Sequence, residues 1–296
     1  MRPTVFCERN RMGKYAVICP NPYRDIDFKY TLDLYNRLTE AGIRCAVHPL
    51  FQDISAPEIQ QLSKNVPVVE SCWDADLLIS LGGDGTVLHL ARQTMKLDTP
   101  IIGINCGDKG FLAELDGPHV DILVDAVNGK YRPSRRMMLD VTLYRNDEVI
   151  FRDTALNDVV LKSVHNVIAV KAEIQGRLVC KFSGDGIIVA TPTGSTGYSL
   201  SAGGPIVEPE ADAILVTPLA AHLLSAKPQV LASNRVLDIT ADRLRGRPTV
   251  ITVDGGDTID FISGDRLVIR KSDHETVIAD MQLRPFYERV MDILTK

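Results

Sequence analysis

Leu77-Leu78-Ile79-Ser80-Leu81-Gly82-Gly83-Asp84-Gly85-Thr86 decides how the first half of the chain folds. An almost wholly apolar run of this length reads as a strand buried on both faces. It ends in glycines, and Val87 to Met95 then reads as a helix. The same alternation extends outward on both sides. Upstream, Tyr15-Ala16-Val17-Ile18-Cys19 is a short apolar strand stopped by Pro20-Asn21-Pro22. Ile26, Tyr30, Leu34 and Leu38 recur every four residues and predict one face of a helix, with Gly42 as its stop. Ile43–Val47 and Pro100–Ile104 are further strands. Doubly buried strands with helices between them predict a parallel α/β sheet.

After Arg135 the hydrophobic period changes to two. Leu139–Leu143, Val167–Ile174, Val236–Thr240 and Arg266–Arg270 alternate inward and outward residues. Asp254-Gly255, between Val250–Val253 and Thr258–Phe261, is a hairpin signal. The expected organisation is an N-terminal α/β domain over 1–133 and a β-rich C-terminal domain over 134–280. A helix-like tail over 281–296 is expected to pack on the first domain.

The chain has 296 residues, with 33 Lys+Arg against 38 Asp+Glu, a formal net charge of −5. Hydrophobic residues are 45% and charged residues 24%, ordinary for a globular protein, which excludes collagen-like and disordered classes. A mildly acidic chain carries no electrostatic footprint for non-specific nucleic-acid binding. No run of apolar residues is long enough for a transmembrane helix. Glu8, Arg9, Arg11 and Lys14 make the opening segment too charged to read as a secretory signal. Cys7, Cys19, Cys45, Cys72, Cys106 and Cys180 show no CxxC or finger spacing and read as reduced, packed thiols of a cytoplasmic protein.

Two stretches carry chemistry. Gly82-Gly83-Asp84-Gly85-Thr86 joins a strand's carboxyl end to a helix start, where free N–H groups suit a phosphate. Asp84 is the odd member, because a carboxylate in a phosphate cradle repels the ligand. It could bind Mg²⁺, accept a proton from an attacking hydroxyl, or both. A plain backbone turn is the competing reading. The second stretch, Gly184–Pro205, has no charge from Gly186 onward and is dense in Ser, Thr and Gly, with Tyr198 its one aromatic. Its hydroxyls and amides suit sugar hydroxyls and base edges, and Asp185 at its mouth could accept from an amide. A tightly packed turn of small residues is the alternative.

These strings resemble the NAD kinase family. The matching pieces are Gly82–Thr86, Ile104–Leu112, Ala155–Val160 and Gly184–Pro205, with a weaker match from Thr217-Pro218 to Pro228. The resemblance implies two domains with the active site between them, and transfer of the γ-phosphate of ATP to the 2′-hydroxyl of the adenosine ribose of NAD, giving NADP. Some members use polyphosphate. The resemblance further implies Mg²⁺ or another divalent cation and a cytoplasmic homodimer or homotetramer. It involves no nucleic acid and no membrane.

By resemblance, Asp84 is the catalytic proton acceptor, and Gly82, Gly83, Gly85 and Thr86 form the phosphate loop. Gly85, Phe111, Asn157, Asp158, Asp185, Thr196, Gly197, Tyr198, Ser199, Leu200 and Ser201 are the expected NAD-binding residues, and no protein metal ligand is assigned. Asn157 and Asp158 match a pair that holds ribose hydroxyls. Asp185 matches a residue near the far end of NAD, and Phe111 an aromatic of the adenosine pocket. The chain departs from the family pattern at Lys109, Asp158 (for Glu), Ser183 (for Arg), Gly197 (for Ala), Ala221 (for Pro) and Gly256 (for Gln).

Other residues take plainer readings. His222 reads as packed, and His48, His89, His119, His165 and His274 lack zinc-ligand spacing. Asp254 reads as a turn residue. Arg135-Arg136 and the Arg243-Leu244-Arg245-Gly246-Arg247 run read as solvated charge. Two rival functions share the GGDGT loop or the fold. A lipid kinase would need an acyl pocket, which the hydroxyl-rich stretch argues against. A non-catalytic dinucleotide sensor has Asp84 against it.

Overall fold

Strand β3, Leu77–Gly82, is buried at all six positions and lies between two neighbours that are buried everywhere but at Tyr15. It is central in a computed structural model that describes residues 13–107, 110–165, 167–222, 226–242, 244, 246 and 248–295. Cys7, Lys109, Arg243, Arg245 and Arg247, read from sequence above, lie outside the described residues. The chain divides into two compact units. The first comprises 1–86, 99–132 and 279–282; the second comprises 87–98, 133–278 and 283–296.

In the first unit, β1 (Tyr15–Pro20), β2 (Arg44–Val47), β3 and β4 (Ile101–Asn105) run parallel in the order β4-β3-β1-β2. The two-residue β5 (Leu115–Asp116) is added beside β4. Helices α1 (Lys29–Glu40), α2 (Pro57–Leu62) and α4 (Val120–Val127) cover the sheet through Leu34, Leu38, Ile59, Leu62 and Leu123. Each fully buried Leu or Ile stabilises this core by about 1.5–3 kcal/mol. Helix α3, Asp84–Thr94, starts three residues before the apolar pattern begins, so the GGDGT acid lies in its first turn.

The expected face of α1 is wrong at its start. Ile26 and Tyr30 are 69% and 49% exposed, and Thr31, Leu34 and Leu38 form the inner stripe. The chain enters through Asp27 and Phe28, both left-handed at φ 57° and 54°, which rotates the helix relative to the upstream pattern. Asp25 then caps it by accepting the amides of Tyr30 and Thr31 and the Thr31 hydroxyl.

The second unit is built from antiparallel strands, as the period-two pattern implies. One group contains β6 (Arg132–Arg145), β7 (Glu148–Ala155), β9 (Ile168–Ile174), β10 (Arg177–Gly184), β14 (Val236–Asp242) and β17 (Arg266–Asp280). Its order is β10-β9-β14-β17, with β6 beside β17 and β7 beside β6. The other sheet has the order β13-β12-β11-β8-β15-β16. Its members are β8 (Asp158–Ser163), β11 (Gly186–Ala190), β12 (Ala213–Leu219), β13 (Gln229–Ala232), β15 (Thr249–Val253) and β16 (Ile259–Asp260). Leu139, Val141, Val159, Leu161, Ile187, Ile239 and Phe261 are part of one shared core.

The expected hairpin at Asp254-Gly255 is present, with Val250 facing Asp260 and Ile251 facing Ile259. The tail helix α6, Phe286–Leu294, falls in the second unit rather than the first, where the sequence had placed it.

Candidate functional site

Two carboxylates, one in each unit, grip three consecutive backbone amides of a loop. In the first unit this is Asp84. Its Oδ2 accepts the amide of Phe111 at 2.7 Å, and its Oδ1 accepts those of Leu112 and Ala113 at 2.9 and 3.0 Å. A carboxylate offers about four acceptor positions. Among the described residues three are filled, and the one left is on Oδ2. Gly110 is required beside it, because a Cβ there would overlap the Asp84 carboxyl group.

The glycines of the GGDGT loop do different things. Gly82 faces Thr86, and a Cβ would collide with the Thr86 hydroxyl. Gly85 faces open space. Thr86 is buried, and its Oγ1 accepts from Asn21 Nδ2 at 3.1 Å and from the Gly83 amide at 3.4 Å. Its hydroxyl therefore ties the loop to the end of β1 and is not turned outward to a phosphate. Phe111 meets Asp84 through its main chain.

In the second unit the gripping acid is Asp254, which the sequence suggested only as a turn residue. Its carboxylate accepts the amides of Leu156, Asn157 and Asp158 at 2.8, 2.7 and 3.0 Å. Burial pushes Asp254 up from its ordinary value, while those amides and the Arg92 guanidinium pull it down. Arg92 also donates to the Val253 carbonyl at 3.4 Å and pairs with Asp153. Asp158 is buried. Burial first, and then the charge of Asp254, push its carboxyl up to about 7. Asn157 Oδ1 is buried without a hydrogen-bond partner among the described residues.

The Gly184–Pro205 stretch packs onto this turn. Thr191 donates its hydroxyl to the Leu156 carbonyl at 2.6 Å and its amide to the Asn157 carbonyl at 2.9 Å. A Cβ on Gly194 would run into that Asn157 carbonyl. Gly197 sits with a would-be Cβ 3.4 Å from Asn157 Nδ2 and 3.7 Å from Asp158 Oδ2. The structure thus brings Asn157, Asp158 and Gly197 together, and adds Thr191, Gly194 and Asp254, which sequence reasoning missed as site residues.

Most hydroxyls of the stretch are spent on its own folding. Ser195 bonds the main chain of Val207, Thr196 donates to the Thr193 carbonyl, and Ser199 is buried against Thr217 at 2.8 Å. Ser199, expected to touch NAD, thus has its side chain committed to the interior. Thr193 Oγ1 is buried and unpaired among the described residues, and no sequence signal marks it. Tyr198, 43% exposed, and Ser201 lie at the surface in α5 (Tyr198–Ser201), with Leu200 half-buried. Asp185 is exposed, and its main chain bonds Leu219 and Ser163. Among the described residues no three His, Cys, Asp or Glu side chains converge to hold a metal ion.

Residues 21–131 match the family model described as the ATP-NAD kinase N-terminal domain, and 156–281 match the ATP-NAD kinase C-terminal domain. The chain is 36% identical over 279 residues to the NAD kinase of Ruminiclostridium cellulolyticum, covering 93% of this chain and 96% of that protein. It is 38% identical over 245 residues to NAD kinase 2 of Streptomyces avermitilis, covering 81% and 80%. Among solved structures, yeast NADH kinase complexed with NADH shares the fold at a TM-score of 0.84, with 23% identity over 97% of this chain and 88% of that one. An NAD kinase from Archaeoglobus fulgidus in complex with ATP matches at a TM-score of 0.68, with 25% identity over 95% and 97%.

Proposed function

Because this chain belongs to the NAD kinase family, we propose that Asp84 takes the proton from the 2′-hydroxyl of the adenosine ribose of NAD as that oxygen attacks the γ-phosphorus of ATP. The bond from the 2′-oxygen to phosphorus forms, the bond to the β-phosphate oxygen breaks, and ADP leaves with its electron pair. Phosphoryl transfer has a loose transition state, so positioning supplies most of the acceleration. The observation that carries this role is the amide grip on Asp84. It aims the carboxylate and leaves one acceptor position, on Oδ2, for the sugar proton. General-base help of this kind contributes about 10²–10⁴ in rate.

Asn157 and Asp158 are the residues we assign to the ribose hydroxyls. Asn157 brings a buried oxygen, unpaired among the described residues, that a hydroxyl can satisfy. Gly197 and Tyr198 border the dinucleotide, Phe111 the adenosine, and Gly83 and Gly85 the phosphates. Asp185, Thr196, Leu200 and Ser201 are assigned to NAD by resemblance. Among the described residues no protein cage for Mg²⁺ is formed. A divalent ion would therefore arrive on the nucleotide phosphates.

The five cysteines among the described residues are free thiols, which suits a reducing cytoplasm. No helix among the described residues is long and apolar enough to cross a membrane. Tyr287, Met291 and Leu294 form an exposed apolar stripe on α6 that suits a homodimer or homotetramer, which light scattering would read.

The test is a coupled NADP-formation assay on wild type and Asp84→Asn with ATP. The variant is expected to fold and to lose at least about a hundredfold in turnover. A folded variant with near-normal turnover would remove Asp84 from the chemistry.

A further inference from the structure

The turn between β7 and β8 has an unusual allocation of hydrogen bonds. Leu156, Asn157 and Asp158 have every backbone polar group satisfied, and two residues distant in sequence do all of it. Asp254 takes the three amides. Thr191 serves the carbonyls of Leu156 and Asn157, and the Asp254 amide donates to the Asp158 carbonyl at 2.9 Å. Gly194 presses so closely on Asn157 that no side chain fits between them. The main chain is thus over-determined, while the Asn157 side chain keeps a buried oxygen with no partner among the described residues. A rigid backbone displaying an unemployed polar side chain is what a preorganised binding site needs, since little ordering remains to be done when the ligand arrives.

We propose that Asp254 is a positioning residue for dinucleotide binding: by accepting three successive amides, its carboxylate presents the Asn157–Asp158 pair to the ribose of NAD. This rests on the assignment of that pair to the ribose, and it adds a residue that does not itself touch the ligand. The alternative, a carboxylate that merely closes a hairpin, leaves two observations unused. A hairpin of this kind does not need its acid to reach a different turn, and Asp254 adopts a left-handed φ of 49° to do so. Arg92 on the Val253 carbonyl holds the Asp254 turn from behind, and a Cβ built on Gly256 would lie 3.2 Å from the Arg92 guanidinium.

Two variants separate the effects. Asp254→Asn keeps the size and tolerates left-handed backbone, but its amide nitrogen opposes at least one of the three donors. Asp254→Gly removes the grip and the backbone strain together. Both are expected to raise KM for NAD at least about tenfold, Gly more than Asn, with KM for ATP changed less than about twofold, a misplacement penalty confined to one substrate. A purely structural role would lower the active fraction and leave both KM values alone, and that result overturns the proposal.

Asn157→Ala and Asp158→Asn run alongside as controls. If they leave KM for NAD unchanged, the ribose assignment itself falls. If they raise it and the Asp254 variants do not, only the positioning role falls. Should the Asp254 variants fail to fold, hydrogen exchange on wild type decides. The amides of residues 156–158 are expected to be protected equally with and without NAD, and rapid exchange without NAD overturns the proposal.

Discussion

Replacing Asp158 by Asn should change how the stability of the second unit depends on pH. The native carboxyl of Asp158 titrates near 7, against 3.8 for the ordinary group. Between these values the folded chain holds a proton that the unfolded chain has released. Stability therefore falls as pH rises through that window, and the loss is complete above about 7. About three pH units, at ~1.36 kcal/mol each, set a ceiling of about 4 kcal/mol. From pH 5 to pH 8 the share is roughly 2–3 kcal/mol. Asn carries no charge, so Asp158→Asn should gain on wild type by that amount across the same interval. Urea unfolding at pH 5, 6, 7 and 8, followed by far-ultraviolet circular dichroism, reads the β-rich unit. Trp73, the only tryptophan, lies in the other unit and gives an internal control by fluorescence. A constant difference between variant and wild type across the four pH values would refute the reasoning, because Asp158 would then be ionised throughout.

Three further outcomes are expected. Gly110→Ala forces the Asp84 carboxyl off its three amides and should lower NADP formation at least about a hundredfold with the circular dichroism spectrum retained. Ser199→Ala strands the Thr217 hydroxyl and should cost about 1–3 kcal/mol in urea unfolding, with KM for NAD unchanged. Asp265 is buried and holds Arg145 through two bonds of 2.9 and 2.8 Å and accepts the Ile262 amide, so Asp265→Ala should destabilise the second unit, read as an earlier circular dichroism transition.

What the sequence could and could not tell follows from range. The parallel strands were legible because Leu77–Leu81 and Ile101–Ile104 are apolar at nearly every position, and the β-rich half because its period is two. The start of α1 was not, since two left-handed residues broke the register of a pattern that looked continuous. Asp84 stood out chemically as an acid in an anion-binding loop. Asp254 had no such contrast, because Asp-Gly is an ordinary turn pair. Its partners at 156–158 are nearly a hundred positions away, where no local pattern can point to them. Ser199 shows the opposite failure. Its hydroxyl looked available among other hydroxyls, but packing against Thr217 had claimed it.

The grip on Asp84 also bears on how such an enzyme can change. Peptide N–H groups belong to every residue except proline, so the aim of the carboxylate is indifferent to which side chains stand at positions 111, 112 and 113. Evolution, or a library randomised at those three codons with proline excluded, can therefore vary the side chains there while the Asp84 carboxylate keeps its bearing. The bearing of the carboxylate is separable from those side chains because it is written in the main chain.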